Sequence, residues 1–215
     1  MSDPNTIQAR WHFGIPIYEK HLPRFAERKD QLVEKILAMR ERDAGIARSN
    51  QGGWHSADTL HLEREDEDLR WLMERLGAIS STCVGNFEEG REYYNLRMVG
   101  AWANVNEAGQ WNAPHQHLPN VWSGVFYVDA GEKNADAEHG SLEGDLLFYD
   151  PLPLGKQWKR PPTVSYQATT GTMLLFPAFL THMVAPYHGN RPRISIAFNL
   201  HMEHDPEVAA RMLQS

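Results

Sequence analysis

Apolar residues recur at helical spacing in two stretches of the first half of the chain, each set among charged residues. The first set is Phe25, Leu32, Val33, Ile36 and Leu37, and the second is Leu69, Leu72, Met73, Leu76 and Ile79. Asp43-Ala44-Gly45 supplies a stop after the first set, and Asp66 and Asp68 precede the second, where acids favour the helix dipole. The pattern predicts two amphipathic helices that act as packing elements.

From about Tyr93 the period changes to two, which predicts strands. The predicted strands are Tyr93 to Asn106, His115 to His117, Ser123 to Asp129, Asp145 to Tyr149, Thr163 to Tyr166, Thr172 to Phe176 and Arg193 to His201. Three other segments carry weaker patterns. Trp11 to Tyr18 contains Pro16 and predicts an edge strand or an extended arm, Ser49 to Ser56 predicts a polar glycine-rich loop, and Asp205 to Gln214 predicts a short terminal helix.

Helices followed by many short strands are not a βαβ pattern, so a doubly wound sheet is disfavoured. The order predicts a mainly β protein, an antiparallel sandwich or jelly roll, with N-terminal helices against one outer face. At 215 residues the chain fits a single domain over 1–215. Within it, 1–90 form helical support with an edge strand, 91–203 form the β core and 204–215 form a tail.

Composition narrows the class of protein further. The net charge of -7 argues against a nucleic-acid partner, and no apolar run is long enough to span a bilayer. The single Cys83 cannot form an intramolecular disulfide, and the first residues lack the pattern of a signal peptide, so we expect a cytoplasmic protein. Motifs for a nucleophile elbow, a Walker loop, a dinucleotide fold and a helical zinc protease do not occur.

A cluster of candidate ligands remains. On a strand, His115 and His117 would share a face, and a third ligand must come from elsewhere in the sheet. His182 follows the apolar run 173–177, where a strand is expected to open into a loop. Arg193 and Ser195 share one face of the last strand. Imidazole suits iron, nickel, copper or zinc, and an arginine fork pairs a carboxylate in a bidentate manner.

Several segments together resemble the iron(II)- and 2-oxoglutarate-dependent oxygenases, and more narrowly a bacterial and phage group of that superfamily. The segments are 49–56, 102–105, 115–117, 123–128, 148–151 and 193–199. The superfamily pattern is His-x-Asp/Glu, a distal His and Arg-x-Ser on a double-stranded β-helix of the cupin-like jelly-roll type. His115, His182, Arg193 and Ser195 match it directly. Tyr127 stands where relatives of the prolyl hydroxylase kind bind the far carboxylate of 2-oxoglutarate.

The resemblance implies an enzyme that uses iron(II), 2-oxoglutarate and O2. It implies hydroxylation of a C–H bond, coupled to oxidative decarboxylation of 2-oxoglutarate to succinate. The substrate would be a small molecule or a protein, and a homodimer is compatible with the resemblance. Asn104 shares a strand face with Trp102 and is expected to bond the cosubstrate or to make a structural hydrogen bond, and Trp54 and His55 are expected at the substrate mouth.

His117 departs from the pattern, since the superfamily places a carboxylate ligand there. We favour a site of three histidines, His115, His117 and His182. The alternative is an acid from another position, such as Asp145 or Asp150, with His117 outside the metal's ligands. Two other classes stay open: a cupin-like three-histidine enzyme that does not use 2-oxoglutarate, and a non-catalytic jelly-roll binding protein.

Overall fold

Two antiparallel sheets pack face to face in the computed structural model, which describes residues 14–85, 94–132, 141–152 and 162–204. The strands are β1 (Tyr18–His21), β2 (Asn50–Gln51), β3 (Trp54–His55), β4 (Tyr94–Asn106), β5 (Trp111–His115), β6 (Trp122–Asp129), β7 (Leu146–Tyr149), β8 (Thr163–Tyr166), β9 (Thr172–Pro177), β10 (His182–Val184) and β11 (Arg193–His204). The six-stranded sheet has the order β1-β9-β6-β11-β4-β3, and the five-stranded sheet has the order β2-β5-β10-β7-β8. This jelly roll confirms the predicted mainly β class.

The alternation along β11 sorts the two faces of the larger sheet. Ile194, Ile196, Phe198 and Leu200 belong to a core on its outer side, while Arg193, Ser195, Ala197 and Asn199 face a cavity between the sheets. The strand pairs with β4 on one side and β6 on the other. Because the side-chain period of a strand is two, this single sequence pattern fixes both the core and the cavity wall.

Two helices cover the outer face of the larger sheet, as predicted. They are α1 (Lys29–Arg42) and α2 (Glu67–Gly85), and short 3-10 turns occupy Phe25–Glu27 and Leu60–Leu62. Leu32 and Ile36 of α1 and Leu72 and Leu76 of α2 are fully buried in the same core as Phe198. Neither helix is long and apolar enough to cross a membrane, and the same holds for every helix in the part of the chain that the structure describes.

The segment 49–56 was wrongly predicted to be a loop. It contains β2 and β3, and these pair with different sheets, β2 with β5 and β3 with β4. The Asn50 carboxamide donates to the carbonyl of Gly53 at 2.7 Å, and Gly52 turns the chain with φ 78°. A two-residue strand is too short to show a period, which explains the error.

Two predicted strands also differ in their bounds. The edge strand is β1, paired with β9, and 11–13 of the predicted Trp11 to Tyr18 strand lie outside the described residues. The predicted strand His115 to His117 is wrong, since β5 ends at His115 and contains Pro114. β2 covers β5 only at Trp111 and Asn112, so the missing N–H of Pro114 interrupts no pairing on that side. The predicted terminal helix also lies outside the described residues, and the single-domain division stays a prediction.

Gly124 tests the packing between β6 and β11. A Cβ at this position would lie 2.2 Å from Cζ of Phe198, whose ring is fully buried. We expect Gly124→Ala to lower the free energy of unfolding by about 1–3 kcal/mol, because the overpacked ring cannot move into solvent. The measurement is urea unfolding of both proteins.

Gly77 provides the matched control, because a Cβ there meets nothing within 4 Å. Gly77→Ala in α2 should stabilise the protein by about 0.5–1 kcal/mol, as alanine is the better helix former. Equal stability of Gly124→Ala and the unsubstituted protein would contradict the described packing of Phe198.

Candidate metal and cosubstrate site

The pairing of β10 with β5 sets His182 directly opposite His115. Residues opposite each other in antiparallel strands have Cβ atoms about 4.5–5.5 Å apart, so their rings reach a common point. His182 was expected in a loop after β9, but it is the first residue of the short strand β10. The ring centroids of the two histidines are 4.4 Å apart.

Each of these two rings is held by a carbonyl two residues earlier in the chain. Nδ1 of His115 lies 2.7 Å from the oxygen of Ala113, and Nδ1 of His182 lies 2.8 Å from the oxygen of Leu180. A carbonyl can only accept, so Nδ1 carries the proton and Nε2 keeps its lone pair. This outer hydrogen bond is the usual means of orienting a metal-binding imidazole.

His117 reaches the same point from the loop after β5. Its backbone N–H donates to the carbonyl of Ala178 at 2.9 Å, and the Asn120 carboxamide donates to its carbonyl at 2.7 Å. Nε2 of His117 lies 3.2 Å from Nε2 of His182. Two imidazole nitrogens that bind one ion at about 2.1 Å in adjacent positions stand about 3 Å apart, so this spacing fits a shared metal.

The potential ligand atoms of His115, His117 and His182 all lie within 4.8 Å of one another. Among the residues described, no Asp or Glu joins a group of this kind. Asp150 Oδ1 instead accepts the backbone N–H of Leu152 at 2.9 Å, and Asp145 is buried next to Gly144. The donor set that the fold brings together is therefore three imidazoles, which suits iron among other transition metals.

The three imidazoles are neutral at physiological pH. Burial lowers the pKa of His117 to about 2, aided by the positive charge that His182 and His115 would carry. Burial and His115 lower the pKa of His182 to about 3, and burial also lowers the pKa of His115. A proton therefore does not compete for these lone pairs near pH 7, which suits a cation.

Arg193 and Tyr127 form a polar end of the site. Arg193 is 1 % exposed, and its Nε donates to the carbonyl of Gly144 at 3.0 Å. Its Nη2 and the hydroxyl of Tyr127 are buried, and apart from their interaction with each other they have no hydrogen-bond partner among the described residues. The guanidinium carbon lies 5.1 Å from the centroid of the Tyr127 ring. Two buried donors with no acceptor other than each other fit an anion, because an unpaired buried donor otherwise costs about 1–3 kcal/mol.

The protonation of these groups supports that use. Burial lowers the pKa of Arg193, but a guanidinium stays charged at neutral pH. Burial raises the pKa of Tyr127 to about 12, so the phenol is a neutral donor. Ser195 is buried and pairs in register with Tyr127 and with Asn104. A charged fork and a neutral hydroxyl together match one carboxylate.

One cavity of about 360 Å³ connects the histidines with Arg193. Its walls include His115, His117, His182, Arg193, Ser195 and Asn104. Tyr127 is fully buried and packs against Arg193, which lines this cavity. Asn104 is 8 % exposed, and its Oδ1 has no hydrogen-bond partner among the described residues.

Two residues predicted at the mouth have different roles. Trp54 belongs to the outer core and its indole N–H donates to the carbonyl of Asp43 at 2.8 Å, so that part of the prediction is wrong. His55 does face the cavity, stacked on Trp102. Trp102 also lines the cavity, and its alternation with Asn104 along β4 is the sequence signal that indicates this position. The exposed residues Arg48 and Asp58 also line the cavity, and no sequence pattern predicted their position.

Residues 100–199 match the model of a protein family described as "Putative 2OG-Fe(II) oxygenase". The matched segment contains the three histidines, Tyr127, Arg193 and Ser195. This segment belongs to that oxygenase family. The family-level expectations of an oxidoreductase that uses iron(II) and 2-oxoglutarate are therefore confirmed. A search of the curated proteins gave no match.

Solved structures of other proteins share the fold. A prolyl hydroxylase from Trichoplax adhaerens, in complex with a hypoxia-inducible-factor peptide, is 15% identical over 93% of this chain and 87% of its own, with a TM-score of 0.62. A Pseudomonas putida prolyl-4-hydroxylase is 14% identical over 86% and 91%, with a TM-score of 0.57. The epimerase SnoN in complex with Fe3+, alpha-ketoglutarate and nogalamycin RO is 14% identical over 87% and 81%, with a TM-score of 0.62. These likenesses show the fold of this chain.

The lowered pKa values predict how stability depends on pH in the metal-free protein. The pKa of a histidine in the unfolded chain is about 6.5, whereas the pKa of His182 in the folded protein is about 3. Between these two pH values the unfolded chain binds a proton at this position and the folded protein does not, so protonation favours unfolding. The melting temperature should therefore fall as the pH is lowered from 7 to 5. His182→Gln should show a shallower fall, because glutamine does not titrate.

Thermal unfolding in excess chelator at constant ionic strength measures both slopes. Identical slopes for the two proteins would contradict a neutral, buried His182.

Proposed function

We propose that the protein is an iron(II)- and 2-oxoglutarate-dependent hydroxylase whose metal is held by His115, His117 and His182. The observation that carries the proposal is one cavity that joins three convergent imidazoles to a buried arginine with an unpaired nitrogen. The family match of residues 100–199 supports it. The substrate is a small molecule or a protein, as for the nogalamycin-bound epimerase and the peptide-bound prolyl hydroxylase.

Iron(II), when bound with 2-oxoglutarate and O2, supplies the oxidising chemistry that converts C–H to C–OH while 2-oxoglutarate becomes succinate and CO2. The chain's own residues bind and orient. The carbonyls of Ala113 and Leu180 fix the rings of His115 and His182, so each Nε2 lone pair faces the cavity. His115 and His182 keep their protons on Nδ1 and need no proton transfer to bind the metal.

Arg193, Ser195 and Tyr127 hold the far carboxylate of 2-oxoglutarate in this proposal. Nη2 of Arg193 and the hydroxyl of Tyr127, which is buried beside Arg193, donate to its oxygens, and the Ser195 hydroxyl on the cavity wall is the third donor. Because these groups are buried, each hydrogen bond to a carboxylate is stronger than it would be in water. On the same wall, the carboxamide nitrogen of Asn104 donates to the cosubstrate, or its unpaired Oδ1 accepts from a donor on the substrate.

The proposal also includes the location of the protein, its partners and its oligomeric state. A cytoplasmic location agrees with the single Cys83, which has no partner cysteine. The net charge of -7 disfavours nucleic acid as a partner. The proposal allows a homodimer. Size-exclusion chromatography with light scattering measures the oligomeric state.

Arg193 separates this function from a three-histidine enzyme that does not use 2-oxoglutarate. Replacing Arg193 by Leu should weaken 2-oxoglutarate binding at least 100-fold, because a charge-assisted pair contributes roughly 3 kcal/mol. Metal binding should change little, since the imidazoles are untouched. Calorimetric titration of 2-oxoglutarate into the anaerobic iron-loaded proteins measures the difference.

Arg193→Lys is the matched control, since it keeps the charge without the fork and should retain an intermediate affinity. Equal affinity in the Leu variant and the unsubstituted protein would remove the cosubstrate from the proposed function.

His117 separates a three-histidine centre from one completed by an acid. His117→Ala should lower metal affinity by more than 100-fold, as one of three ligands is lost, whereas Asp150→Asn and Asp145→Asn should each keep stoichiometric metal. His117→Asp should still bind, with altered affinity, since a carboxylate is an accepted ligand. Metal content after anaerobic loading and desalting ranks the four variants. Full loading of His117→Ala together with loss of metal from an Asp variant would contradict the assignment.

A further inference from the structure

The three histidines are not held in the same way. His115 and His182 each have Nδ1 bound to a carbonyl two residues earlier, but the described residues offer no such bond to Nδ1 of His117. Its backbone is fixed at both ends, yet the ring is free to turn about its side-chain torsions unless something packs against it. A ligand at this position needs another means of orientation, because metal-binding imidazoles are normally held by an outer partner.

The flat partner that the ring of His117 meets from the opposite sheet is Trp102. Their ring centroids are 5.6 Å apart with an interplanar angle of 44°. Trp102 comes from β4 in the larger sheet, where it pairs in register with the small residue Ala197. The other ring contacts of His117 are with His115 and His182, which are themselves ligands.

Trp102 is not explained by core packing. It is 9 % exposed, but it belongs to neither of the two hydrophobic clusters of the described residues. Its indole stacks on His55, with centroids 5.3 Å apart and planes within 9° of parallel. A large buried aromatic residue whose ring partners are two histidines is placed for orientation rather than for filling a core.

His55 is itself anchored to the strand that carries Trp102. Nδ1 of His55 lies 2.6 Å from the carbonyl oxygen of Ser56, to which it donates. The backbone N–H of Ser56 donates to the carbonyl of Ala103 at 3.0 Å, and the N–H of Ala103 donates to Oγ of Ser56 at 3.0 Å. These bonds fix His55 to Ala103, the residue next to Trp102, so the stacked indole keeps its position beside His117.

We propose that Trp102, backed by His55, is a positioning residue that holds the imidazole of His117 in its metal-binding orientation, in place of the carbonyl that orients the other two ligands. The inference rests on the proposed function, since it requires that His117 is a ligand. A carboxylate at position 117 is shorter than imidazole and would not reach the indole. The contact with Trp102 therefore requires a histidine at position 117.

A double-mutant cycle tests this coupling. Trp102→Ala should lower the affinity for Co(II), used as the spectroscopic probe for iron(II), by 10- to 100-fold, the usual effect of losing an outer partner. In the His117→Asp background, Trp102→Ala should change the affinity less than twofold. Calorimetry gives the affinities, and the visible absorption of bound Co(II) should shift with Trp102→Ala in the unsubstituted background alone.

Conservative variants separate orientation from bulk. Trp102→Phe keeps a flat face and should recover most of the affinity, whereas Trp102→Leu keeps apolar volume without that face and should not. His55→Phe preserves the stack and should bind like the unsubstituted protein, while His55→Ala should lie between it and Trp102→Ala. Thermal unfolding of the metal-free proteins checks folding, and Trp102→Leu takes the place of Trp102→Ala if the latter does not fold.

Equal losses in both backgrounds, or unchanged affinity of Trp102→Leu, would overturn the inference. Failure of the proposed function looks different: His182→Ala and His117→Ala would then both bind Co(II) as tightly as the unsubstituted protein. Tight binding that requires both histidines but ignores Trp102 would contradict the positioning role alone.

Discussion

The candidate site depends on the register between β5 and β10, which sets His182 opposite His115. A slip by one residue would turn either ring to the other face of the sheet and separate the pair. The larger sheet supplies the opposite wall, because the alternation of β11 places Arg193 and Ser195 toward the cavity and the isoleucines toward the helices. The register of β5 with β10 and the alternation along β11 therefore fix where the histidines lie relative to Arg193 in the cavity.

The charge balance of the cavity follows from its burial. The three imidazoles remain neutral, and Arg193 is the one buried arginine or lysine among the described residues. The buried Asp145 offsets part of its charge, but Nη2 of Arg193 has no hydrogen-bond partner there. A partly satisfied buried cation costs stability, so its presence on the cavity wall is explained by a ligand with a negative charge. Three neutral ligands would leave the full charge of a divalent metal uncompensated. With its far carboxylate paired to Arg193, 2-oxoglutarate would offset one of the two metal charges with its other carboxylate.

Sequence periodicity predicted the long elements well, because α1, α2, β4, β6 and β11 each repeat their pattern over several turns or pairs. It could not predict β2, β3 or β10, which are too short to show a period and exist only through their partners. The histidines were found by their spacing and by family resemblance, although His117 belongs to a loop and not to a strand. The stack of His55 on Trp102 had no sequence signal, since it depends on how β3 aligns with β4.

We propose that three imidazoles hold iron in the cavity where Arg193 receives the cosubstrate. A crystal structure of the anaerobic complex with iron(II) and 2-oxoglutarate tests it most directly. In that complex, Nε2 of His115, His117 and His182 should bind the ion. The far carboxylate of 2-oxoglutarate should accept a hydrogen bond from Nη2 of Arg193. An ion bound by Asp145 or Asp150 in place of His117, or 2-oxoglutarate bound away from Arg193, would contradict it.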